Sequence, residues 1–227
     1  MAIDDNQVSR EAVLGRVRAA LGRHGPDDDA RAAARAYLAE RRSGPRPAAL
    51  PDLAQWFLRR ATDMSSTVER VTTADDVPPA VARYLAAIDP ALAAATTGVC
   101  WPEFATLAWT QAGVSIESRP TVGHDGLGIT GCFCAIAETG TLVFLTGTES
   151  PTGAFLLPET HIAIVRANQI VAAMEDAFAL IRERGPLPRA VNLVSGPSRT
   201  GDIEQTIVLG AHGPRRLHIV LVGSGAK

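Results

Sequence analysis

Strand-like and helix-like segments alternate along the chain from residue 51 onwards, and this alternation limits the fold more than any other feature. Short apolar runs at 141–145, 161–165 and 217–222 have the length of buried strands. Between such runs, apolar residues at 168–184 recur every three or four positions, as they do on one face of an amphipathic helix. Interleaved strands and helices predict an α/β fold in which helices flank a parallel-rich sheet.

The individual elements are predicted from their patterning and from the residues at their ends. In the helix at 168–184, Asn168 is expected to be the N-cap, and Gly185-Pro186 to end the helix. Pro51 is expected in the first turn of a helix that continues to Arg60. Further helices are predicted at 9–22, with Ser9 as its cap, at 27–38 and at 76–88, and further strands at 67–71, 93–99, 132–137 and 190–195.

The N-terminal part of the chain has a helical pattern and is rich in Ala and Arg. Residues 44–51 contain three prolines and one glycine, which is typical of a boundary between domains. We therefore predict a helical N-terminal extension at 1–50 and an α/β domain at 51–227. The extension is expected to dock on the α/β domain or on another subunit.

Charge and lysine usage argue against several classes of function. The 227 residues carry a formal net charge of -2, whereas a nucleic-acid-binding surface needs uncompensated basic residues. The one lysine, Lys227, is the last residue, which is a poor position for a phosphate-loop lysine or a Schiff base. No run approaches the roughly 18 apolar residues of a membrane span, and Met1–Asp5 does not begin a signal peptide. We expect a soluble, cytoplasmic protein.

The three cysteines, Cys100, Cys132 and Cys134, are too few for an iron–sulfur cluster or a structural zinc site, which usually take four ligands. A metal site completed by a histidine is one alternative. The interpretation we prefer is that small thiols fill a buried strand. We predict no metal and no cofactor on this chain.

Gly126, Gly128 and Gly131 form a literal G-x-G-x-x-G pattern, the fingerprint of a dinucleotide-binding loop. That fingerprint must follow a strand and open a helix. Here residues 132–137 alternate like a strand, so we interpret the glycines as a flexible loop that leads into it. A dinucleotide site is the disfavoured alternative.

The sequence Glu138-Thr139-Gly140-Thr141 precedes an apolar run and predicts a tight turn or bulge. Glu138 would then stand at a strand end, where its carboxylate could act as an acid, a base or a nucleophile. Alternatively, Glu138 only hydrogen-bonds the backbone of its own turn. Thr139 and Thr141 are predicted to support the site.

The segment Ser195–Glu204 follows a predicted strand and concentrates glycines, hydroxyls and one arginine in a single connection. Loops at the carboxyl ends of sheet strands are where α/β proteins bind ligands, and these groups suit a carboxylate or phosphate. A purely structural turn is the alternative, because two carboxylates in the segment would repel an anion unless they cap a helix or pair with the arginine. The predicted substrate-binding residues are Ser195, Gly196, Ser198, Arg199 and Thr200, with Asp202 and Glu204 in supporting roles.

Two histidines belong to similar connections. His212, in the glycine-flanked turn at 210–214, is the best-placed histidine for proton transfer near neutral pH. A hydrogen-bonded structural histidine is an equally good interpretation, and both interpretations apply to His161. Glu138 and His212 are therefore the candidate catalytic residues, and His161 is a supporting one.

Together these segments resemble the lactate-utilisation protein C family (LutC/YkgG), whose members carry the LUD domain. Gly201 departs from the family pattern, in which a small residue such as Ala is expected. The resemblance covers the carboxyl-terminal half of the chain, and the Ser195–Glu204 block is its most specific part. The matching residues are 135–143 (AIAETGTLV), Leu157-Pro158, His161-Ile162, Ser195–Thr200, Asp202–Glu204, Gly210 and His212–Pro214.

The resemblance implies a fold like that of the isomerase and CoA-transferase group (NagB/RpiA/CoA-transferase). It also implies a role in oxidising L-lactate to pyruvate, together with partner proteins that carry the iron–sulfur clusters. In that role Arg199 would hold the substrate carboxylate, and His212 or Glu138 would take the hydroxyl proton.

Two other functions stay open at this point. The chain could be a non-catalytic assembly or sensing subunit that binds a small organic anion, or only its partners. It could also be a CoA-transferase-like enzyme with Glu138 as the nucleophile, a possibility that fold analogy alone suggests.

Overall fold

The computed structural model describes residues 2–22, 27–42, 44–46, 51–88, 97–201 and 206–223. Contacts divide the chain into two units, Met1–Arg46 and Pro47–Lys227. The sequence-based boundary was placed after residue 50. Asp202, Glu204 and the first part of the strand predicted at 93–99 lie outside the described residues.

The first unit contains two helices, α1 at Ala2–Ala20 and α2 at Asp28–Glu40. The side chain of Asp27 caps α2 by accepting a hydrogen bond from the Ala30 N–H at 2.8 Å. Both predicted helices are confirmed, but α1 begins before Ser9. That serine lies inside the helix, so its prediction as a cap is wrong.

The second unit contains the remaining described elements. Its helices are α3 Leu53–Asp63, α4 Val77–Ile88, α5 Gly153–Leu156 and α6 Met174–Glu183. In chain order its strands are β1 Thr67–Val71, β2 Thr97–Cys100, β3 Ser115–Glu117, β4 Leu127–Thr130, β5 Cys134–Ile136, β6 Thr141–Leu145, β7 Thr160–Arg166, β8 Ile170–Val171, β9 Val191–Val194, β10 Arg199–Thr200, β11 Val208–Leu209 and β12 Arg216–Val222.

Six of the described strands form one sheet in the order β1-β12-β7-β4-β2-β3, and every neighbouring pair is parallel. The central strands β4, β7 and β12 are buried almost throughout, as expected for a parallel sheet that is covered on both faces. Helices α3 and α4 contact β1, and α5 contacts β4 and β7. The predicted parallel-rich sheet flanked by helices is confirmed, while the likeness to the isomerase and CoA-transferase group stays a prediction.

A smaller mixed sheet has the order β8-β5-β6-β9, and β10 and β11 form a separate hairpin. Within the mixed sheet, β6 runs antiparallel to both β5 and β9. Phe144 of β6 stacks on Phe155 of α5, with ring centroids 4.2 Å apart. This aromatic contact joins the mixed sheet to the helix that covers the parallel sheet.

The glycine pattern at 126–131 does not form the flexible loop that was predicted. Gly128 lies within β4, a strand whose residues are all buried. A Cβ atom at Gly128 would lie 1.8 Å from the carbonyl oxygen of Ala154 in α5. Glycine is therefore required here because a helix packs directly against the strand backbone.

The helix predicted from Asn168 begins instead at Met174. Asp176 accepts a hydrogen bond from the Ala173 N–H at 3.0 Å, which places the N-cap at Ala173. The preceding residues Ile170–Val171 form β8, which pairs with β5. Ile170 fits the helical period, but the sheet uses it, so its assignment to the helix is wrong.

Helix α3 also begins later than predicted. Asp52 caps it by accepting a hydrogen bond from the Gln55 N–H at 2.9 Å, so Pro51 precedes the helix. By contrast, the strand predictions at 67–71 and 141–145 match β1 and β6 residue for residue.

Throughout the described ranges, no helix combines the length and the apolar character needed to cross a membrane.

Candidate functional site

Two of the segments singled out in the sequence, at 195–198 and 212–214, meet at a cavity of about 220 Å³, here called the amino-edge cavity. Its polar walls are formed by Ser195, Ser198, His161 and His212. Its apolar walls include Phe155 and Leu217, and Gly196 also lines it. Four of the predicted site residues therefore share one cavity with the backbone of a fifth, Gly196.

The amino-edge cavity lies at the edge of the parallel sheet opposite to the one where α/β proteins usually bind ligands. His161 and Leu217 are register partners and occupy the second positions of β7 and β12, so the cavity adjoins the amino ends of these strands. Ser195 follows β9, which belongs to the mixed sheet. The segment thus follows the carboxyl end of a strand, as predicted, but this strand is not part of the parallel sheet.

The cavity exists because of a row of residues across the parallel sheet. Gly128, His161 and Leu217 are neighbours on adjacent strands. Since Gly128 has no side chain, α5 approaches the sheet closely enough to bring Phe155 within 6.1 Å of the His161 ring, measured between ring centroids. Helix α5 thus covers one side of the row, and the loop at 195–198 faces the cavity beside it.

Backbone hydrogen bonds hold the two glycine-containing loops together. The Ser198 N–H donates to the Pro214 carbonyl at 2.9 Å, and the Gly210 N–H donates to the Ser198 carbonyl at 3.0 Å. The His212 N–H is 3.4 Å from the Ser198 hydroxyl oxygen. These contacts fix Ser198 relative to the turn that carries His212.

Gly196 is required by its position as well as by its conformation. Its φ angle is +80°, in the left-handed region, and a Cβ atom there would lie 2.1 Å from the carbonyl oxygen of Met64. Met64 caps the end of α3. The loop at 195–198 therefore lies so close to the end of α3 that no side chain fits at position 196.

A chain of hydroxyls connects the cavity to the turn before β6. The hydroxyl oxygens of Thr139 and Thr141 are 2.7 Å apart, and those of Thr141 and Ser195 are 2.6 Å apart. Thr141 is buried, so its hydroxyl depends on these partners. The chain fixes the Ser195 hydroxyl at the cavity wall, and the supporting positions predicted for Thr139 and Thr141 fit this arrangement.

His161 is buried, and burial lowers its pKa to about 3. The imidazole is therefore neutral at physiological pH. Its Nε2 atom is 2.8 Å from the Thr130 hydroxyl, which also lies 2.9 Å from the Gly131 carbonyl. When Thr130 donates to that carbonyl, it accepts from Nε2–H, and the Nδ1 atom of His161 is then a hydrogen-bond acceptor.

His212 differs from His161 because its side chain is exposed. It lines the amino-edge cavity from the turn whose backbone is bonded to Ser198. His212 is thus the histidine of the cavity whose side chain a molecule can reach from solvent.

Glu138 lies in the predicted turn between β5 and β6 but does not line the amino-edge cavity. The turn is confirmed: Gly140 has φ +65°, and a Cβ atom there would lie 2.5 Å from the backbone nitrogen of Ala61 in α3. The Glu138 carbonyl accepts a hydrogen bond from Arg60 Nε at 3.3 Å. Glu138 is half-buried, and its carboxylate makes none of the hydrogen bonds found between described residues.

Arg199 does not line the amino-edge cavity. Its Nη2 atom donates to the Met64 carbonyl at 2.5 Å, and its side chain lines a neighbouring cavity of about 470 Å³, here called the arginine-lined cavity. Thr200 is buried in the β10–β11 hairpin, opposite Val208. Neither residue therefore lines the amino-edge cavity with Ser195, Gly196 and Ser198.

A third cavity, of about 520 Å³, adjoins the carboxyl edge of the parallel sheet and is called the carboxyl-edge cavity. Trp101, which directly follows β2, lines it together with Glu103, Gln169 and Arg184. Glu103 forms an ion pair with Arg166 at 3.0 Å. The polar side chains here bond mainly to protein: Gln169 Nε2 donates to the Cys132 carbonyl at 3.1 Å, and Arg184 lies over the Phe133 ring.

All three cysteines are free and buried. Burial raises the pKa of Cys100 and of Cys134 to about 11, so both thiols are protonated at neutral pH. The preferred interpretation, small thiols that fill the interior, agrees with this burial. Among the residues that the structure describes, no three His, Cys, Asp or Glu side chains converge as metal ligands would.

Thr130, Phe155 and Leu217 belong to the site, but the sequence analysis did not single them out. Thr130 bonds His161, Phe155 covers it, and Leu217 lies beside it on the next strand. Each has an ordinary apolar or strand-like context in the sequence. The signal that could have found Leu217 is its position at the start of the last strand, just after the His212 turn.

The chain is similar to a known protein family and to several known proteins. The LUD domain family model matches residues 102–222, a range that contains every residue lining the amino-edge cavity. The chain belongs to the LUD domain family.

Curated relatives are similar over different lengths. Lactate utilization protein C of Deinococcus radiodurans is 30% identical over 199 residues, covering 80% of this chain and 90% of that protein. Lactate utilization protein C of Bacillus licheniformis and that of Bacillus subtilis are 33% and 34% identical over 127 residues. Each of these two matches covers 54% of this chain, which spans only 53% of the relative. A crystal structure of a DUF162 family protein from Deinococcus radiodurans is 26% identical with a TM-score of 0.49, covering 75% of this chain and 96% of that one.

Proposed function

We propose that this protein acts in lactate utilisation, as a component of a system that oxidises L-lactate to pyruvate, and that it binds the small organic acid in the amino-edge cavity. One observation carries the proposal. The loops at 195–198 and 212–214, which carry the family resemblance, line one cavity together with His161. Relatives that share this domain are named for lactate utilisation.

The size and lining of the amino-edge cavity suit an acid as small as lactate. Its volume of about 220 Å³ lies below the roughly 300–1,000 Å³ typical of sites for larger ligands. The Ser195 and Ser198 hydroxyls and the His212 side chain supply polar partners for a carboxylate and a hydroxyl. Phe155 and Leu217 supply apolar surface for a methyl group.

We assign carboxylate recognition to Ser195 and Ser198 rather than to Arg199. The Arg199 side chain lines the neighbouring cavity and is bonded to the Met64 carbonyl. The serine hydroxyls, in contrast, are held at the wall of the amino-edge cavity, Ser195 by Thr141 and Ser198 by the His212 turn.

The chemistry of lactate oxidation defines what the chain would have to do. The lactate hydroxyl loses its proton, and the carbon that bears it loses a hydride, which leaves pyruvate. His212 would accept the hydroxyl proton, because burial makes His161 too weak a base and Glu138 lies outside the cavity. A two-electron acceptor, supplied by a partner protein of the iron–sulfur class, would take the hydride and with it both electrons.

A non-catalytic binding or assembly subunit is the second candidate. Apolar residues of α1 and α2 are exposed in the first unit, among them Val13, Val17, Tyr37 and Leu38. Exposed apolar residues on a helical extension are typical of surfaces that bind another protein. In this role the amino-edge cavity would sense the organic acid, and turnover would occur on a partner.

Calorimetric titration of the full chain with L-lactate, pyruvate and acetyl-CoA tests the proposal. We expect saturable binding of lactate or pyruvate, and a tenfold or greater loss of affinity in Ser198→Ala, because hydrogen bonds to a charged group contribute about 1.5–3 kcal/mol. Ser115→Ala is the matched control, since Ser115 is an exposed serine on the edge strand β3. Binding of acetyl-CoA alone would favour the transferase, and no binding by the folded protein would contradict the proposed site.

Turnover distinguishes the two candidates. With partner proteins and an electron acceptor present, His212→Gln is expected to abolish lactate oxidation while lactate still binds. Unchanged turnover in this variant would show that His212 is not the base and would favour the binding subunit.

A further inference from the structure

We propose that the arginine-lined cavity is a second binding site, for an organic molecule that carries at least two phosphate charges. Its walls carry the guanidinium groups of Arg199, Arg215 and Arg216. None of the described residues that line it has a carboxylate side chain. The proposal does not depend on which molecule occupies the amino-edge cavity.

The charges around this cavity leave a positive excess among the described residues. Arg199 donates to a neutral partner, the Met64 carbonyl. Arg215 and Arg216 both approach the same carboxylate, Glu159, at 3.9 Å and 3.0 Å. Two of the three guanidinium groups thus share one carboxylate and the third, Arg199, is bonded to a carbonyl. Guanidinium forks bind phosphate oxygens in pairs.

Hydroxyl groups supply further donors for phosphate oxygens. Ser65, Thr67 and Tyr84 line the same cavity. Tyr84 is held in place by stacking on His218, with ring centroids 3.9 Å apart, and Thr67 Oγ1 is 2.8 Å from Nδ1 of the same histidine. His218 is buried and uncharged at neutral pH, so it positions these two side chains without adding charge.

The backbone at Ser65 is in an unusual conformation for a residue other than glycine. Its φ angle is +69°, and its N–H donates to the Thr62 carbonyl at 2.8 Å. A non-glycine residue in the left-handed region typically costs about 1 kcal/mol or more, and such residues cluster at binding sites. This conformation leads the chain from α3 into β1 along the cavity wall.

An apolar wall faces the arginines. Ile207, just before β11, and Leu209, on β11, line the cavity, although 72% and 48% of their surfaces are exposed. Ile88 of α4 contributes to the same wall. A bound ring or apolar group would cover this surface, which water covers otherwise.

The volume also distinguishes this cavity from its neighbour. At about 470 Å³ it is within the range of sites for small organic ligands and more than twice as large as the amino-edge cavity. The two cavities share Pro197 and Leu217 as lining residues. A diphosphate-bearing ligand would therefore lie directly beside the organic acid.

The test is calorimetric titration of the full chain with ADP and with pyrophosphate as probes. We expect saturable binding of both, with ADP binding at least tenfold more tightly because its ring system contacts the apolar wall. The affinity for both probes should fall as salt is added, since exposed charges are screened. Arg199→Gln combined with Arg215→Gln should reduce ADP affinity at least tenfold.

Arg182→Gln is the matched control, because Arg182 is an exposed arginine near the end of α6 and does not line this cavity. It is expected to bind ADP like the wild type, and all variants should keep the thermal unfolding midpoint of the wild type. The proposal is overturned if ADP shows no saturable binding, if the double variant binds ADP as tightly as the wild type, or if ADP binds no more tightly than pyrophosphate.

Discussion

At the carboxyl edge of the parallel sheet, polar side chains are bonded mainly to the protein, whereas at the amino edge serine hydroxyls and an exposed imidazole face an open cavity. Glu103 and Arg166 form an ion pair at the carboxyl edge. Ser195 and Ser198 at the amino edge are held in place but keep hydrogen-bonding capacity toward the cavity. The difference supports the proposed binding of the organic acid at the amino edge, although α/β folds usually bind ligands at the carboxyl edge.

The reason for this placement is the mixed sheet. Its strand β9 delivers the loop that begins at Ser195, and β6 delivers Thr141, which fixes the Ser195 hydroxyl. Both strands belong to a layer that packs over α5 through Phe144. The small sheet thus supplies the site, and the parallel sheet supplies one wall through His161 and Leu217.

The largest effect is expected from removing the close contact at the amino edge. Gly196→Ala adds a Cβ atom 2.1 Å from the Met64 carbonyl at a left-handed φ angle. We expect a loss of unfolding free energy of about 3 kcal/mol or more, and loss of lactate binding. Urea unfolding and calorimetry measure the two effects.

Gly113→Ala is the control, because Gly113 has φ +75° with no atom within 4 Å of its Cβ position. It isolates the conformational cost, about 1–2 kcal/mol for an L residue in this region. Equal losses in the two variants would show that the contact with Met64 does not shape the loop.

The neutral state of His161 predicts a pH dependence of stability. Because burial lowers the pKa to about 3 for His161 and to about 4 for His218, the unfolded chain binds protons below pH 6.5 that the folded chain does not. The unfolding free energy should therefore fall by about 2 kcal/mol per histidine between pH 6.5 and pH 5.

Unfolding by urea at a series of pH values measures this fall. His218→Gln should reduce the pH dependence of the unfolding free energy by about half. The pH dependence that remains is the contribution of His161, which lines the cavity. An unfolding free energy that does not change between pH 6.5 and pH 5 would mean that both imidazoles are protonated as easily in the folded chain as in the unfolded chain.

A smaller effect is expected from breaking the hydroxyl chain. Thr141→Val removes the hydroxyl that bonds both Thr139 and Ser195 while keeping the branched shape. We expect a loss of about 1–2 kcal/mol in unfolding free energy and weaker lactate binding, because the Ser195 hydroxyl is no longer fixed. Thr141→Ser, which keeps the hydroxyl, should restore most of the affinity, and a lack of rescue would contradict the role of the chain.

The smallest effect is expected at the carboxyl edge. Glu103→Gln removes an exposed ion pair with Arg166, and such pairs contribute less than about 1 kcal/mol. Lactate affinity should not change. A clear loss of lactate affinity in this variant, with stability unchanged, would move the site to the carboxyl edge.

Much of the fold could be predicted from local patterns, and each wrong prediction has a physical cause. The apolar residues alternate at 67–71 and form a run at 141–145. Both strands were predicted correctly because polar or glycine residues bound these patterns. Strand β4 was missed because Gly128 was interpreted as part of a loop, although its role is to admit α5. The position of Ile170 was misassigned because its helical spacing is real, whereas its pairing with β5 is a long-range contact that local patterning does not contain.

The sequence indicated several residues that share a cavity, but not the geometry of that cavity. Ser195, Ser198, His161 and His212 were selected by residue type and spacing, and they line one cavity. The direction of the Arg199 side chain depends on the Met64 carbonyl, which is distant in sequence. No local pattern could supply that contact, nor show that β9 belongs to a second sheet.

The most direct test of the central claim is a crystal structure of the full chain soaked with L-lactate. We expect density for lactate in the amino-edge cavity, with its carboxylate within hydrogen-bond distance of Ser195 and Ser198 and its hydroxyl facing His212. Density for lactate in the carboxyl-edge cavity, between Trp101 and Gln169, with the amino-edge cavity empty, would contradict it.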